Sequence, residues 1–390
     1  MKRRTLVFLA ALALGGCGSL NPLDWATRGE DVVPPAELVE IPNAVPLSII
    51  WSADVGSGTD ERWLHLVPFV HRGRVYTADA EGHVEARDAT NGALVWSVEA
   101  GEPVSGGPGG GEDLVVVGTA DGEVLAADAD TGAERWRARV TSEVLSSPTA
   151  ALGVVLVHSQ DGNLTALDAR TGSRLWVTRR EVPQLSLRGS SSPVVSGTTA
   201  ICGFADGKVL GLDLTTGLVR WEANAGIPRG RSALERLADV DADPLVIDGV
   251  VYLATFQGDV VALSEQTGIV LWRRELSSHA GMAGDFSQLY VTGEDDHVWA
   301  LQQRNGAALW RQRNLDHRRL TAPAVLGDYV LVGDFEGYVH LLSREDGSLV
   351  GRTRVGEGPI TVAPVVADGI VYVLGDEGDL AALRLPASKG

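Results

Sequence analysis

The side chains of this 390-residue chain that could do chemistry are eight histidines, two cysteines and 51 carboxylates. The histidines are His65, His71, His83, His158, His279, His297, His317 and His340, and none shows the His-x-x-x-His type of spacing that holds a metal. No Gly-x-x-x-x-Gly-Lys loop is present to cradle phosphate. Arg229-Gly230-Arg231 and Arg318-Arg319 could meet an anion, but runs this short read as solvated or ion-paired. Cys202, in Ala200-Ile201-Cys202-Gly203-Phe204, reads as a small buried hydrophobe. A formal charge of −18 opposes nucleic acid and polyanionic surfaces and serves solubility. The residues therefore point to no catalytic, cofactor or metal site.

One position does carry chemistry. Lys2-Arg3-Arg4 is followed by the apolar run Thr5 to Leu14, too short to span a bilayer, and then by Leu14-Gly15-Gly16-Cys17. Small residues before a cysteine at this distance resemble a bacterial lipobox. The resemblance implies cleavage of residues 1–16 and acylation of Cys17, with two or three chains giving a stable anchor. Cleavage removes three cations and no anions, so the charge of −18 becomes −21. Gly18, rather than Asp, after the cysteine implies the outer membrane, facing the periplasm. Residues 17–45, with Pro22, Pro34, Pro35 and Pro42, read as a lipidated tether. With Cys17 acylated, Cys202 has no disulfide partner in the chain.

The rest is a repeat. Asp121-Gly122, Val124, Ala126, Asp128, Thr131-Gly132 and Trp136 recur as Asp161-Gly162, Ala166, Asp168, Thr171-Gly172 and Trp176. Further copies run Gly82 to Trp96, Gly207 to Trp221, Gly258 to Trp272 and Asp296 to Trp310. A seventh ends at Gly351 without Trp, and an eighth, from Gly378, stops at Leu385. Successive tryptophans from Trp96 to Trp310 lie 40, 40, 45, 51 and 38 residues apart. Asp-Gly between alternating apolar runs is a hairpin signal. Each period holds a further inner strand after Pro68, Pro108, Pro148, Pro193, Pro244, Pro323 or Pro364, with Gly281-Met282-Ala283-Gly284 in the remaining copy. Four short strands per period predict an all-β fold, an eight-bladed β-propeller of four-stranded antiparallel blades over residues 46–390. Ile49-Ile50-Trp51-Ser52-Ala53 supplies the Trp strand the eighth copy lacks. It is expected to pair with the C-terminal hairpin, leaving no open edge between first and last blades.

The pattern Ala-x-Asp-x-x-Thr-Gly-x-x-x-Trp, as in Ala126 to Trp136, resembles the repeat of quinoprotein-type propellers over the whole mature chain. One such family is the pyrroloquinoline-quinone-dependent periplasmic dehydrogenases, which the resemblance endows with an adjacent Cys-Cys disulfide, a Ca²⁺ site and an Asp base. This chain has no Cys-Cys pair, scatters its acids one per turn, and has nearly minimal blades. The other is the BamB family, lipoproteins of the outer-membrane β-barrel assembly machinery with no known catalysis. The lipobox, the size and the missing disulfide favour the second.

The 45- and 51-residue spacings mark two long loops in successive repeats. Gln184 to Gly189 and Glu235 to Asp241 resemble the loops through which that family contacts the barrel protein BamA. Equivalent loops of neighbouring repeats emerge side by side, and insertions often map to a binding face. Leu185, Leu187, Arg188, Asp239 and Asp241 are the expected docking residues for a periplasmic domain of a BamA-like protein. Leu185 and Leu187 would serve as apolar anchors and the charges would fix register. Ser232 to Leu237 reads as one helical turn capped by Ser232 and Glu235. A scaffold that holds unfolded outer-membrane proteins, by adding a strand to an edge, is a further reading. Cys17→Ala is expected to move the protein from the membrane to the soluble periplasmic fraction without unfolding it. Membrane retention of a correctly processed Cys17→Ala protein would contradict the anchor.

Overall fold

Turns every four to eight residues leave room only for short strands that pair with their chain neighbours. A computed structural model describes residues 33–59, 62, 64–183, 190–226, 239–240 and 242–386. Among these residues there are 32 strands and no helix. Six sheets have four antiparallel strands each. A seventh, of eight strands, is two such sets joined by one parallel bridge between Thr149 and Gly110.

Within each set the strands follow one another in chain order, with one exception. Val365–Ala367, Ile370–Leu374 and Asp379–Arg384 take their fourth strand, Ser48–Asp54, from the other end of the chain. Ser48 lies opposite Arg384, Trp51 opposite Ala382, and Asp54 opposite Asp379. Six of the seven marker prolines immediately precede an inner strand. Pro108 instead lies inside Val104–Gly111, a longer strand with two register shifts, where a run of glycines tolerates the extra residues.

The tryptophans tie each sheet to the next. The indole N–H of Trp96 donates to the carbonyl of Ala129 at 3.0 Å, Trp136 to Ala169 at 2.8 Å and Trp176 to Leu214 at 2.9 Å. Trp221 reaches Glu265 at 2.7 Å, Trp272 reaches Gln303 at 2.6 Å and Trp310 reaches Arg344 at 2.9 Å. Trp51, at the chain's start, reaches Ala89 at 3.1 Å. Each acceptor lies in the turn between the third and outer strands of the following sheet. The glycine of that same turn lies against the ring. A methyl group at Gly92, Gly132, Gly172, Gly217, Gly268, Gly306 or Gly347 would stand 2.5–2.8 Å from ring atoms of the preceding sheet's tryptophan. The Thr-Gly of the repeat is thus explained: the glycine has a positive φ and also yields space to the indole.

Volume is balanced across the strands. Ala86, Ala126, Ala166, Gly211, Ala262 and Ala300 lie opposite Trp96, Trp136, Trp176, Trp221, Trp272 and Trp310. Where Gly351 replaces Trp, its partner is the large Leu341. At that seam the N-terminal segment fills the place of the ring. Val45 donates its N–H to the Val350 carbonyl at 2.7 Å, and the Thr353 hydroxyl donates to the Leu47 carbonyl at 2.6 Å. Leu47 is buried in a cluster with Leu341, Val371 and Leu383, with Val45 and Val350 packed against it. The segment read as a tether is therefore bound to the sheets from Ala36 onward, where the Ala36 N–H donates to the Asp316 carbonyl at 2.9 Å.

Trp136→Phe puts a smaller ring in place of the indole and leaves the Ala169 carbonyl without its donor, an expected loss of about 1–3 kcal/mol from the hydrogen bond alone. Gly172→Ala crowds the same ring from the other side and should cost about 1–3 kcal/mol by overpacking. Urea unfolding at fixed pH checks both. Two variants as stable as the parent would show that the indole contact does not hold the sheets together.

Candidate partner-docking site

The two long loops leave the outer strands Arg174–Arg179 and Val219–Asn224 and return to the inner strands Val194–Ser196 and Leu245–Ile247. Leu185, Leu187, Arg188 and Asp241 lie outside the described residues, as does the expected turn at 232–237. Asp239 is described and is only 2% exposed, at the base of the second loop rather than on its surface. Its carbonyl accepts the Phe256 N–H at 3.2 Å.

The roots of the loops are tied to each other. Ser192 donates its N–H to the Asp243 carboxylate at 2.6 Å, and the Ser191 hydroxyl donates to the Ala242 carbonyl at 3.3 Å. Ser192 Oγ accepts the Ser147 N–H at 3.1 Å, and the Ser190 hydroxyl meets Gln160 Oε1 at 3.1 Å, which links the first loop back to the preceding repeat. A crevice with about 10 Å³ of room for water is walled by His158, Gln160, Val182, Ser191, Asp239 and Val240. The described ends of the two loops, from adjacent repeats, thus share one hydrogen-bonded base.

Sequence reasoning missed what packs behind this base. Cys202 Sγ lies 3.5 Å from His158 Nδ1, which is also 2.9 Å from the Ser191 carbonyl. The two residues are about one period apart, and that spacing was the available signal. A cysteine beside a histidine can be a nucleophile, but only as a thiolate. Here burial pushes the thiol well above its ordinary value and holds the imidazole below its own. With Nδ1 protonated toward the Ser191 carbonyl, the pair is neutral and fills core, with Phe204 edge-on to the imidazole.

A second buried group surrounds Arg318, which is 2% exposed. Its guanidinium donates to Asp334 at 2.8 Å, to the Ala36 carbonyl at 3.0 Å and to Glu336. His340 Nε2 meets Asp334 Oδ2 at 2.8 Å, while His340 Nδ1 is buried with no partner. Burial holds this imidazole below its ordinary value. Neutral His340 donating from Nε2 fits that geometry, since a proton on Nδ1 would have no acceptor. The cluster resembles a charge relay without a nucleophile; what it does is clasp the N-terminal segment. Among the described residues, no three His, Cys, Asp or Glu side chains are grouped to hold a metal ion.

The one-per-repeat acids are turn builders. Asp128, Asp168 and Asp213 each accept the backbone N–H and hydroxyl of a threonine three residues on, at 2.7–2.9 Å. Arg135 beside Asp128 and Arg220 beside Asp213, together with those threonines, draw both carboxyls from 3.8 down to about 2.

Four-stranded sheets joined edge-on by tryptophans define a β-propeller of the quinoprotein repeat type. A family model described as outer membrane protein assembly factor BamB matches residues 44–103, 80–312 and 294–387. The chain is 51% identical to that factor from Alkalilimnicola ehrlichii over 98% of this chain and 97% of the relative. It is 49% identical to the Pseudomonas aeruginosa protein over 96% of this chain and 97% of the relative. The chain belongs to the BamB family of outer membrane protein assembly factors. Among solved structures, BamB from Moraxella catarrhalis superposes with a TM-score of 0.80 at 27% identity, covering 87% of this chain and all of the other. The quinohemoprotein alcohol dehydrogenase of Comamonas testosteroni gives 0.67 at 15% identity over 88% of this chain and 78% of its own, a likeness of fold alone.

A carboxyl held below its ordinary value stabilises the fold above that value and loses its contribution as pH falls through the folded one. Asp128 and Asp213 should therefore make the protein progressively less stable between about pH 4 and pH 2. Asp128→Asn and Asp213→Asn together should flatten that slope. An unchanged pH dependence in chemical unfolding would show that these turns are not the acid-sensitive element.

Proposed function

We propose that this chain is a non-catalytic scaffold that assists folding and insertion of outer-membrane β-barrel proteins. It is held by acylated Cys17 at the periplasmic face of the outer membrane. The observation that carries the reading is similarity over nearly the full length to assembly factors, 51% over 98% of the chain. The neutral Cys202–His158 pair and the turn-building role of the repeated acids support a scaffold over a quinone-dependent dehydrogenase.

The fold reading is a ring of eight blades, with Ser48–Asp54 completing the last one. In support, the Trp51 and Ser48–Asp54 contacts link the end of the chain to its start. Docking to a periplasmic domain of a BamA-like protein falls to the two loops, with Leu185, Leu187, Arg188 and Asp241 as the contact residues. Asp239 is buried at the described end of the second loop, where its carbonyl accepts the Phe256 N–H. The bonds from Ser191 and Ser192 to Ala242 and Asp243 support a preformed patch, which lowers the ordering cost of binding.

Leu187→Ala and Arg188→Ala should each weaken the complex with the periplasmic domains of a BamA-like protein by about 1–4 kcal/mol, leaving the melting temperature unchanged. Calorimetric titration checks this. Parent-like binding by both variants would mean that the docking face is elsewhere.

A further inference from the structure

The outer strands of the sheets present edges, and two of them are protected in different ways. Glu134–Arg139 carries Glu134, Arg135, Arg137 and Arg139, with Arg135 and Arg137 both ion-paired. Charged side chains of this kind protect an edge from pairing with another chain. At Leu349–Arg354 the protection is different: the chain's own N-terminal segment crosses the edge. There Val45 donates to the Val350 carbonyl, and Leu349 and Val350 are half-buried. Arg352 donates to the Val39 carbonyl at 3.2 Å beside it. This molecule thus displays what an extended apolar segment does on such an edge: a main-chain bond just before the Trp position and cover for the apolar pair.

Neither protection reaches the start of the strand Val270–Glu275: its charges, Arg273 ion-paired with Asp259, Arg274 and Glu275, all follow Trp272. Ile269, Val270 and Leu271 stand consecutively 64%, 42% and 53% exposed. Val270 and Leu271 occupy the repeat positions of Leu349 and Val350. The turn before them has Ser264 where other repeats have the ion-pairing Asp128 or Asp213. In the preceding sheet Leu218 and Val219 are 70% and 53% exposed, so the open apolar surface continues onto the neighbouring edge.

We propose that the edge Val270–Glu275 is a second docking surface, and that its occupant is an extended polypeptide of alternating apolar residues, the chemistry of an unfolded β-strand. The segment would add beside Val270 and Leu271 through main-chain bonds, as Val45 does at Val350, with its apolar side chains covering Ile269 and Leu271. This inference rests on the assembly-factor reading, which supplies such segments as clients. It uses a surface apart from the two docking loops.

The test is fluorescence anisotropy with the full chain and a labelled, end-blocked peptide alternating valine with threonine and serine. A second peptide is the same sequence N-methylated at alternate amides, so that its edge cannot donate. The first should bind and the second should not. Leu271→Arg should weaken binding at least about tenfold, while binding to the periplasmic domains of a BamA-like protein is unchanged. Should Leu271→Arg lower the melting temperature, Leu271→Thr, which retains strand propensity, decides in its place with a smaller loss in the same direction. Equal binding of the methylated peptide, parent-like binding by the folded edge variant, or no binding of the first peptide overturns the proposal. None of these results touches the loop-mediated complex, whose own failure would appear with Leu187→Ala and Arg188→Ala.

Discussion

Seven of the eight four-stranded sets of this protein lay an indole across the turn of the set that follows. A single four-stranded sheet has two apolar faces and cannot bury both alone, so stability has to come from between sheets rather than within them. The tryptophan answers that need with one side chain. Its ring covers the next sheet's turn, and its N–H satisfies a carbonyl that the turn leaves open, as Trp136 does for Ala169. The constraint propagates: the turn needs glycine so that the ring can approach, and the residue across the strand must be alanine or glycine so that the ring has room. Three separate features of the repeat are one contact.

The seam without tryptophan shows how strict the constraint is. Gly351 and Leu341 invert the usual large and small partners, and Val45 and Leu47 come from nearly 300 residues away in sequence to fill what remains. Arg318 holds the same segment farther out through the Ala36 carbonyl, and its own charge is matched by Asp334 and Glu336. Removing one partner of a buried ion pair is far more damaging than never having it. The segment that leads to Cys17 is consequently part of the fold where it meets the sheets. The described roots of the two loops are tied to each other, and a fixed base beneath long connecting segments suits a site that meets another protein.

The sequence made the repeat, the strand content and the N-terminal pairing legible because each rests on local pattern: Asp-Gly turns, alternating apolar residues, a Trp at fixed spacing. It also marked the two long loops by their departure from the period. It could not show that Asp239 is buried, because a charged residue in a polar loop gives no local sign of its depth. Nor could it show the role of residues 36–45. Their prolines suggest an irregular tether, and irregular they are, yet main-chain and side-chain bonds to a strand some 300 residues later hold them in place. Contacts of that range leave no periodic trace. Arg318 read as solvated or ion-paired, and the second of those is what its burial demands.

The claim that the indoles act as one cooperative series of contacts is tested most directly by hydrogen exchange of the indole N–H groups, followed by NMR on the native protein. Trp51, Trp96, Trp136, Trp176, Trp221, Trp272 and Trp310 should exchange slowly and at a common rate set by global unfolding, with Trp51, on the strand from the chain's start, no faster than the rest. Exchange in separate steps, with Trp51 opening first and at little free-energy cost, would contradict the account.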